Sequence, residues 1–207
     1  MAGLINNKKS YNYNKKFYNN ALVPTEGAEM TKYFEGFKKD LYKDTKGVQT
    51  IGYGFNVNAM KDLLPLEVIQ GKRSLTKVEA SSIFDIAYSR AKEKAVEFAT
   101  PQIFQSLTPA QQNILTDMSY NLGGKLFKFK NMQNALLNKD FNGVVREMQD
   151  SSWYEQVGRR SKYHVDNFNL SQEAIAQSKP VVQSETQTNA MKNFEHQEAL
   201  APIKGGL

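Results

Sequence analysis

Apolar residues recur at helical spacing through the middle of the chain, most clearly in "SLTKVEASSIFDIAYSRAKEKAVEFA". Its spaced apolar positions are Val78, Ile83, Ile86, Ala87, Ala91 and Val96. Apolar side chains every three or four residues predict an amphipathic helix. Thr76, followed three residues later by Glu79, is the signature of a capping box at its start. We therefore expect a long helix of about five turns or more here.

Further helices are predicted on both sides of this segment. In "LTPAQQNILTDMSYNLGG", Thr108 is placed to cap a helix, Pro109 to occupy its first position and Gly123 to end it. An earlier helix is expected to begin at Pro24 and Thr25 and to end at Gly36. Weaker periodicity predicts helices near 131–138, 140–149 and 157–167.

Residues 41–57 carry strand and turn signals instead. Asp44 to Gly47 favours a turn, and the residues beyond it favour a strand: Val48, Thr50, Ile51 and Tyr53. The predicted fold class is thus α+β and mostly α. A small β-hairpin lobe is joined by the long helix to a helical lobe, with a cleft between them of the kind where substrates usually bind.

The two ends of the chain differ from the body in composition. Residues 1–24 are rich in Asn, Lys and Tyr, with four lysines and no acidic residue. Residues 169–207 are polar, with short helices expected near 171–178 and 186–200. We interpret residues 1–24 as an arm that is disordered alone or ordered only against a partner, and residues 169–207 as a polar tail that adds little to a core. The body, 25–168, is predicted to comprise a small lobe (25–75) and a helical lobe (76–168).

Composition narrows the classes of function. The net charge of +6 suits an anionic partner such as a wall polymer, a nucleic acid or a lipid surface. The chain has no cysteine, which excludes disulfides and thiolate metal sites. The only histidines, His164 and His196, lack acidic partners at metal-binding spacing, so no metal site is predicted. Short apolar runs predict no membrane span, and the first residues do not resemble a signal peptide.

Two carboxyl groups in different environments are the candidate chemistry. Glu35 is expected in the last turn of the first helix, where the helix dipole and aromatic neighbours (Phe34, Phe37 and Tyr42) raise a carboxyl pKa, as a general acid requires. Asp44 lies in a polar turn and is expected to stay ionised. Thr50, on the opposite strand, could hold a water. Two such carboxyl groups facing one cleft suit cleavage of a glycosidic bond. The glycines of "TIGYG" are expected to let a polymer approach the backbone closely.

The pattern E-x8-D-x5-T within "EGFKKDLYKDTKGVQTIGYG" resembles the catalytic stretch of the phage-type (T-even) lysozymes, glycoside hydrolase family 24. "LTPAQQNILTDMSYNLGG" and "SSWYEQVGRRSKYHVDNF" resemble two later family segments, so the resemblance covers 25–168. It implies that Glu35 is the general acid, that Asp44 activates or positions the attacking water and that Thr50 holds that water. It further implies that Arg160 orients the acid, and it places four residues in contact with sugar: Asn56, Tyr120, Asn121 and Met132. Phe55 stands where the family often has histidine.

The resemblance implies an inverting muramidase that cleaves the β-1,4 bond between N-acetylmuramic acid and N-acetylglucosamine in peptidoglycan, without a cofactor. Two settings stay open. One is an endolysin made in the host cytoplasm and acting on the cell wall. The other is a virion lysozyme whose arms contact phage tail or baseplate proteins. The alternatives are a structural virion protein without activity and, less favoured, a nucleic-acid binder that uses residues 1–24.

Overall fold

The computed structural model describes residues 23–24 and 27–178, with side chains as far as Asn169. Most of the predicted N-terminal arm, the start of the first helix at Thr25 and the helix predicted near 186–200 lie outside these residues. Contacts divide the chain into two units, Met1–Gln172 and Glu173–Leu207, and the features below belong to the first, except for the end of the last helix. No helix in the described part of the chain is both long and apolar enough to cross a membrane.

The described chain is mostly helical and has one small antiparallel sheet. The helices are α1 Gly27–Glu35, α2 Leu66–Ile69, α3 Lys77–Ala99, α4 Pro101–Ser106, α5 Pro109–Leu122, α6 Lys130–Leu137, α7 Phe141–Gln149, α8 Ser152–Val157 and α9 Arg159–Ser178, with a 3₁₀ helix at Gly123–Lys128. The strands β1 Lys38–Lys43, β2 Gln49–Gly52 and β3 Phe55–Asn56 pair in the order β1-β2-β3. The expected α+β class is confirmed, with a third short strand added to the predicted hairpin.

Side-chain caps fix the starts of the two central helices. The Thr76 side chain accepts a hydrogen bond from the Glu79 amide, and the Glu79 carboxylate accepts one from the Thr76 amide. Thr108 and Gln111 form the same reciprocal pair at the start of α5, where Pro109 is the first residue and Gly123 caps the end. These contacts confirm both predicted helix starts and show that the second is also a capping box.

The long helix α3 contributes to two separate apolar cores. Its first half packs Ala80, Ile83 and Phe84 against the sheet and α2. Its second half places Ala95, Phe98 and Ala99 in a core built with α5, α6, α7, α8 and α9. One continuous helix therefore connects the small sheet-containing lobe to the helical lobe, as the sequence predicted.

Three short helices and one long one differ from the prediction. The four-residue helix α2 and the six-residue helices α4 and α8 were not expected, because so few residues cannot show a helical period. The helix expected at 157–167 begins at Arg159, after α8 ends at Val157 with Gly158 as its cap, and it continues to Ser178. It thereby includes the separate helix expected near 171–178.

The buried cap of α5 gives a testable prediction. Thr108→Ala removes the acceptor for the Gln111 amide in a buried site, so we expect the free energy of unfolding to fall by about 1 kcal/mol. Ser89→Ala, on the exposed surface of α3, is the control and should change stability by less than about 0.5 kcal/mol. Urea unfolding followed by circular dichroism measures both, and equal losses would contradict the assigned cap.

Candidate active site

Polar side chains from three helices meet at one buried point. Two of the helices contribute two side chains each, one helical turn apart, and the third contributes one. On α1 these residues are Thr31 and Glu35, and on α9 they are Arg160 and His164. On α5 the central residue is Asp117, which is fully buried. Side chains four residues apart lie on the same face of a helix, so each helix turns one face toward this point.

Arg160 lies between two carboxylates and donates to both. Its Nη1 lies 2.7 Å from Glu35 Oε1, its Nε 2.7 Å from Asp117 Oδ2 and its Nη2 2.8 Å from Asp117 Oδ1. The contact to Asp117 is thus bidentate, the strongest arrangement for a guanidinium and a carboxylate. The structure contains the contact between Arg160 and Glu35 that the sequence led us to expect.

Glu35 ends α1 in a half-buried position, which decides its acidity. Burial raises the pKa of its carboxyl group, and it outweighs the charge and hydrogen bond of Arg160, which lower that pKa. The negative charge of Asp117 raises it further. Desolvation disfavours the ionised form of a carboxyl group. Glu35 therefore holds its proton to a higher pH than an exposed glutamate, as a general acid must.

Asp44 is fixed by the turn that follows β1. Its Oδ1 accepts hydrogen bonds from the backbone amides of Lys46 and Val48, both at 2.8 Å. The turn is closed by backbone hydrogen bonds between Asp44 and Val48 and between Gly47 and Asp44. The turn thus holds the Asp44 carboxylate in one orientation.

A row of three side chains crosses the sheet beside Asp44. Thr50 on β2 is paired with Tyr42 on β1 and with Asn56 on β3, and directly paired residues share one face of a sheet. The Thr50 hydroxyl donates to the Val48 carbonyl at 2.9 Å. Its remaining capacity is as an acceptor. Thr50 can therefore hold a water by accepting one of that water's hydrogen bonds.

Tyr42 connects the two candidate carboxyl groups. The pKa of its phenol is raised first by burial and then by the negative charges of Glu35 and Asp44. One phenol therefore lies close enough to interact with both carboxylates. From the sequence, Tyr42 was expected only to shield Glu35 from solvent, whereas the charges of both carboxyl groups act on its phenol.

Gly54 makes room for the Glu35 carboxylate. A Cβ atom built at Gly54 would lie 2.4 Å from Glu35 Oε2, and the backbone there has a φ of +73°, which favours glycine. The glycines of this turn were expected to admit a polymer. At Gly54 the group that approaches is instead the side chain of Glu35.

Tyr120 and Asn121 lie on the same side of α5 as Asp117. The Tyr120 hydroxyl donates to the Tyr53 carbonyl at 2.8 Å, and its pKa is raised by burial and then by the charge of Glu35. Asn121 is exposed and accepts a hydrogen bond from Trp153 Nε1 at 2.9 Å. The charge of Glu35 thus acts on Tyr120, whereas the contact given for Asn121 is with Trp153.

The other two predicted sugar contacts have different outcomes. Asn56 is exposed, with its Oδ1 accepting from the backbone amides of Asn58 and Ala59 at 3.0 and 3.1 Å. Met132 is fully buried in the core of the helical lobe. The assignment of Met132 to a sugar-contacting position is therefore wrong: α6 begins at Lys130, and this phase turns Met132 inward together with Leu136, one turn later.

The buried half of the site was not predicted from the sequence. His164, which was considered only as a metal ligand and lacks acidic partners at metal-binding spacing, has its Nε2 2.5 Å from Asp117 Oδ2. Thr31 donates to Asp117 Oδ1 at 2.6 Å. The available signal was an aspartate within the apolar stretch "ILTDMSY", on a helix that has to be buried. Within residues 23–24 and 27–178, no cluster of three or more histidine or carboxylate side chains is arranged to hold a metal ion.

Comparison with known proteins agrees with this geometry. The family model for phage lysozyme matches residues 32–164, and the chain belongs to that family. Its mostly helical fold with a three-stranded sheet is lysozyme-like. Together, family membership and fold support a lysozyme-type glycoside hydrolase function.

The relatives are matched over very different shares of their own length. The pre-baseplate central spike protein Gp5 of Enterobacteria phage T4 is 29% identical over 151 residues, which is 65% of this chain and 26% of that protein. Probable T4-type lysozyme 1 of Dictyostelium discoideum is 27% identical over 148 residues, and probable T4-type lysozyme 2 is 26% identical over 155 residues. These matches cover 87% and 91% of the two lysozymes.

The contact between Gly54 and Glu35 can be tested by substitution. Gly54→Ala forces the Glu35 carboxylate away from its position, in addition to straining the backbone. We expect it to lower the free energy of unfolding by roughly 2–4 kcal/mol and to shift the ¹³C signal of the Glu35 carboxyl.

The control is Gly71→Ala, which also has a positive φ but whose added Cβ would meet only Leu41 Cδ1 at 3.9 Å. It should cost about 1–2 kcal/mol and leave the Glu35 signal in place. Equal effects of the two substitutions would contradict the proposed packing of Glu35 on Gly54.

Proposed function

We propose that this protein is a muramidase, which hydrolyses the β-1,4 bond between N-acetylmuramic acid and N-acetylglucosamine in bacterial peptidoglycan. The observation that carries the proposal is the pairing of two unlike carboxyl groups around Tyr42. One is the half-buried Glu35, whose pKa is raised, and the other is Asp44, held by backbone amides in a turn. Membership of the phage lysozyme family supports the same chemistry.

In the proposed reaction Glu35 acts as the general acid. Its protonated carboxyl donates a proton to the glycosidic oxygen as the bond from that oxygen to the anomeric carbon breaks. The leaving sugar departs with a hydroxyl group, and Glu35 is left ionised. Arg160 Nη1, already in contact with Glu35 Oε1, then stabilises the new carboxylate and keeps it oriented.

Asp44 and Thr50 act on the attacking water. Asp44 accepts a proton from the water as its oxygen bonds to the anomeric carbon, and Thr50 holds the water by accepting its second hydrogen bond. Attack from the face opposite the leaving group inverts the anomeric configuration, a geometry that needs the two carboxyl groups about 6.5–9.5 Å apart. Proton exchange with solvent then returns both groups to their starting states.

The substrate is proposed to lie along the surface formed by the sheet row and α5. Asn56 stands at the exposed end of the row that contains Thr50. Tyr120 and the exposed Asn121 lie next to each other on α5, and the charge of Glu35 acts on the Tyr120 phenol. These three residues are proposed to contact sugar, and none of the steps above requires a cofactor.

Similarity to a baseplate protein favours a virion setting for this activity. The aligned part of Gp5 is about a quarter of that protein, so the likeness concerns its lysozyme-like portion. We propose that residues 1–24 and 169–207 contact tail or baseplate proteins and that the enzyme acts on the wall during penetration. Detection of the chain in purified virions supports this setting, whereas its presence only in the host cytoplasm before lysis would identify an endolysin.

The assignment of Glu35 is tested by Glu35→Gln against Glu29→Gln, an exposed glutamate on the same helix. We expect Glu35→Gln to clear purified peptidoglycan at least 100-fold more slowly and Glu29→Gln to retain the wild-type rate. Wild-type digestion should create new reducing ends on muramic acid, first in the α configuration by proton NMR. Lack of clearing by the wild type across several wall types would favour the structural protein without activity.

The raised pKa of Glu35 predicts the pH dependence of the reaction. The protonated form of Glu35 is the active one, so the rate falls as pH rises through its pKa, which lies above that of an exposed glutamate. Activity should therefore persist above the pH range in which exposed carboxyl groups lose their protons. A profile of kcat/KM against pH that declines on its alkaline side within that ordinary range would contradict the assignment.

A further inference from the structure

Asp117 is a buried carboxylate that the proposed proton transfers do not use. It is fully buried and accepts from residues of two other helices: Thr31 Oγ1 at 2.6 Å on α1, and Arg160 Nε and Nη2 at 2.7 and 2.8 Å on α9. His164 Nε2 lies 2.5 Å from the same carboxylate. A buried charge with this many partners is costly to assemble, which calls for a reason beyond packing.

The reason lies in the charge of Arg160. A general acid has to keep its proton, yet a cation in contact with a carboxyl group favours the ionised form of that group. Arg160 Nη1 is 2.7 Å from Glu35 Oε1, close enough to remove the proton on which the acid depends. The same guanidinium donates two parallel hydrogen bonds to Asp117, whose negative charge offsets its positive charge.

We propose that Asp117 is a positioning residue that cancels the charge of Arg160, so that Arg160 orients Glu35 without depriving it of its proton. This inference rests on the proposed role of Glu35 as the general acid. In this role Asp117, which lies outside the proposed sugar-contacting surface, determines how readily Glu35 gives up its proton.

The surroundings of Asp117 keep it ionised. Burial opposes its ionisation, but the charges of Arg160 and His164 and their hydrogen bonds outweigh burial and hold its pKa well below the usual range. An ionised carboxylate can only accept, so His164 Nε2 is the donor. The imidazole ring is held by Trp153, stacked at 5.9 Å, and by the edges of Phe34 and Tyr163.

The other ionisable groups near Glu35 and Asp117 do not supply this balance. Tyr42 and Tyr120 face Glu35, and Tyr88 and Tyr163 face Asp117. The pKa of each phenol is raised by burial, so all four are neutral near neutral pH. Asp44 is held in its turn by the backbone amides of Lys46 and Val48. Apart from Glu35 itself, Asp117 is thus the described carboxylate that accepts hydrogen bonds from Arg160.

The test is a titration of the Glu35 carboxyl by ¹³C NMR in the wild type and in Asp117→Asn. Asparagine keeps the shape of the side chain and removes its charge. We expect the Glu35 pKa to fall by roughly one unit, and the alkaline side of the activity profile to move to lower pH by the same amount. Activity at acidic pH should be retained more fully than activity at neutral pH, a pattern that simple loss of packing does not produce.

Thr31→Val is the matched control. It removes one hydrogen bond to the same carboxylate but no charge. It should lower stability while leaving the Glu35 titration within about 0.3 units of the wild type. An equal pKa shift in Thr31→Val and Asp117→Asn would overturn the inference, because geometry rather than charge would then explain both.

Asp117→Asn leaves the Arg160 guanidinium buried without its partner and could prevent folding. A second pair of variants, both without this guanidinium, makes the same comparison. Arg160→Gln and the double variant Asp117→Asn/Arg160→Gln also differ only in the charge at position 117. The Glu35 pKa should be lower in the double variant than in Arg160→Gln. Identical titrations in this pair, or in the wild type and Asp117→Asn, would overturn the inference.

Failure of this inference can be told apart from failure of the proposed function. The NMR titration reports the Glu35 pKa whether or not the protein cleaves peptidoglycan. A shifted titration in a protein without activity would remove the muramidase proposal and leave the electrostatic role of Asp117 standing. An unshifted titration in an active enzyme would remove the role of Asp117 alone.

Discussion

The guanidinium of Arg160, placed between Glu35 and Asp117, is the contact on which the arrangement of the site depends. Transferring a charged side chain from water into a protein costs several kcal/mol unless it is paired and fully hydrogen-bonded. Arg160 meets that condition only when α1, α5 and α9 meet in one register, since its partners lie on the other two helices. The packing that folds the helical lobe therefore also orients the candidate acid. Loss of one partner would leave a buried charge unpaired.

The two carboxyl groups proposed for catalysis are supplied by different kinds of structure. Glu35 belongs to the end of a helix packed on buried helices, where desolvation raises its pKa. Asp44 and Thr50 belong to the small sheet, where backbone amides and strand pairing set their positions. The proposed acid is thus positioned by helix packing, and the group proposed to activate water is positioned by the sheet and its turn. Gly54 lies in the turn between β2 and β3 and approaches Glu35 Oε2, so it connects these two parts of the site.

Short-range signals allowed most of the fold to be predicted, and long-range contacts account for what was missed. The caps at Thr76 and Thr108 depend on residues three positions away, so the sequence alone located both helix starts. The linear spacing of Glu35, Asp44 and Thr50 likewise lies within one short segment. By contrast, Asp117 joins residues 86, 43 and 47 positions away, and no local pattern encodes such contacts. Met132 was assigned from the family resemblance, and its burial in the core of the helical lobe depends on long-range packing that the resemblance did not convey.

The central claim is that a buried glutamate retains its proton because of its surroundings and delivers it to a glycosidic oxygen. The most direct measurement follows the ¹³C carboxyl signal of Glu35 across pH in the wild-type protein, beside the pH profile of muropeptide release from purified peptidoglycan. The account predicts that the titration lies above the range of an exposed glutamate and that its midpoint coincides with the alkaline decline in rate. A titration within the ordinary range, or a rate that declines at an unrelated pH, would contradict it.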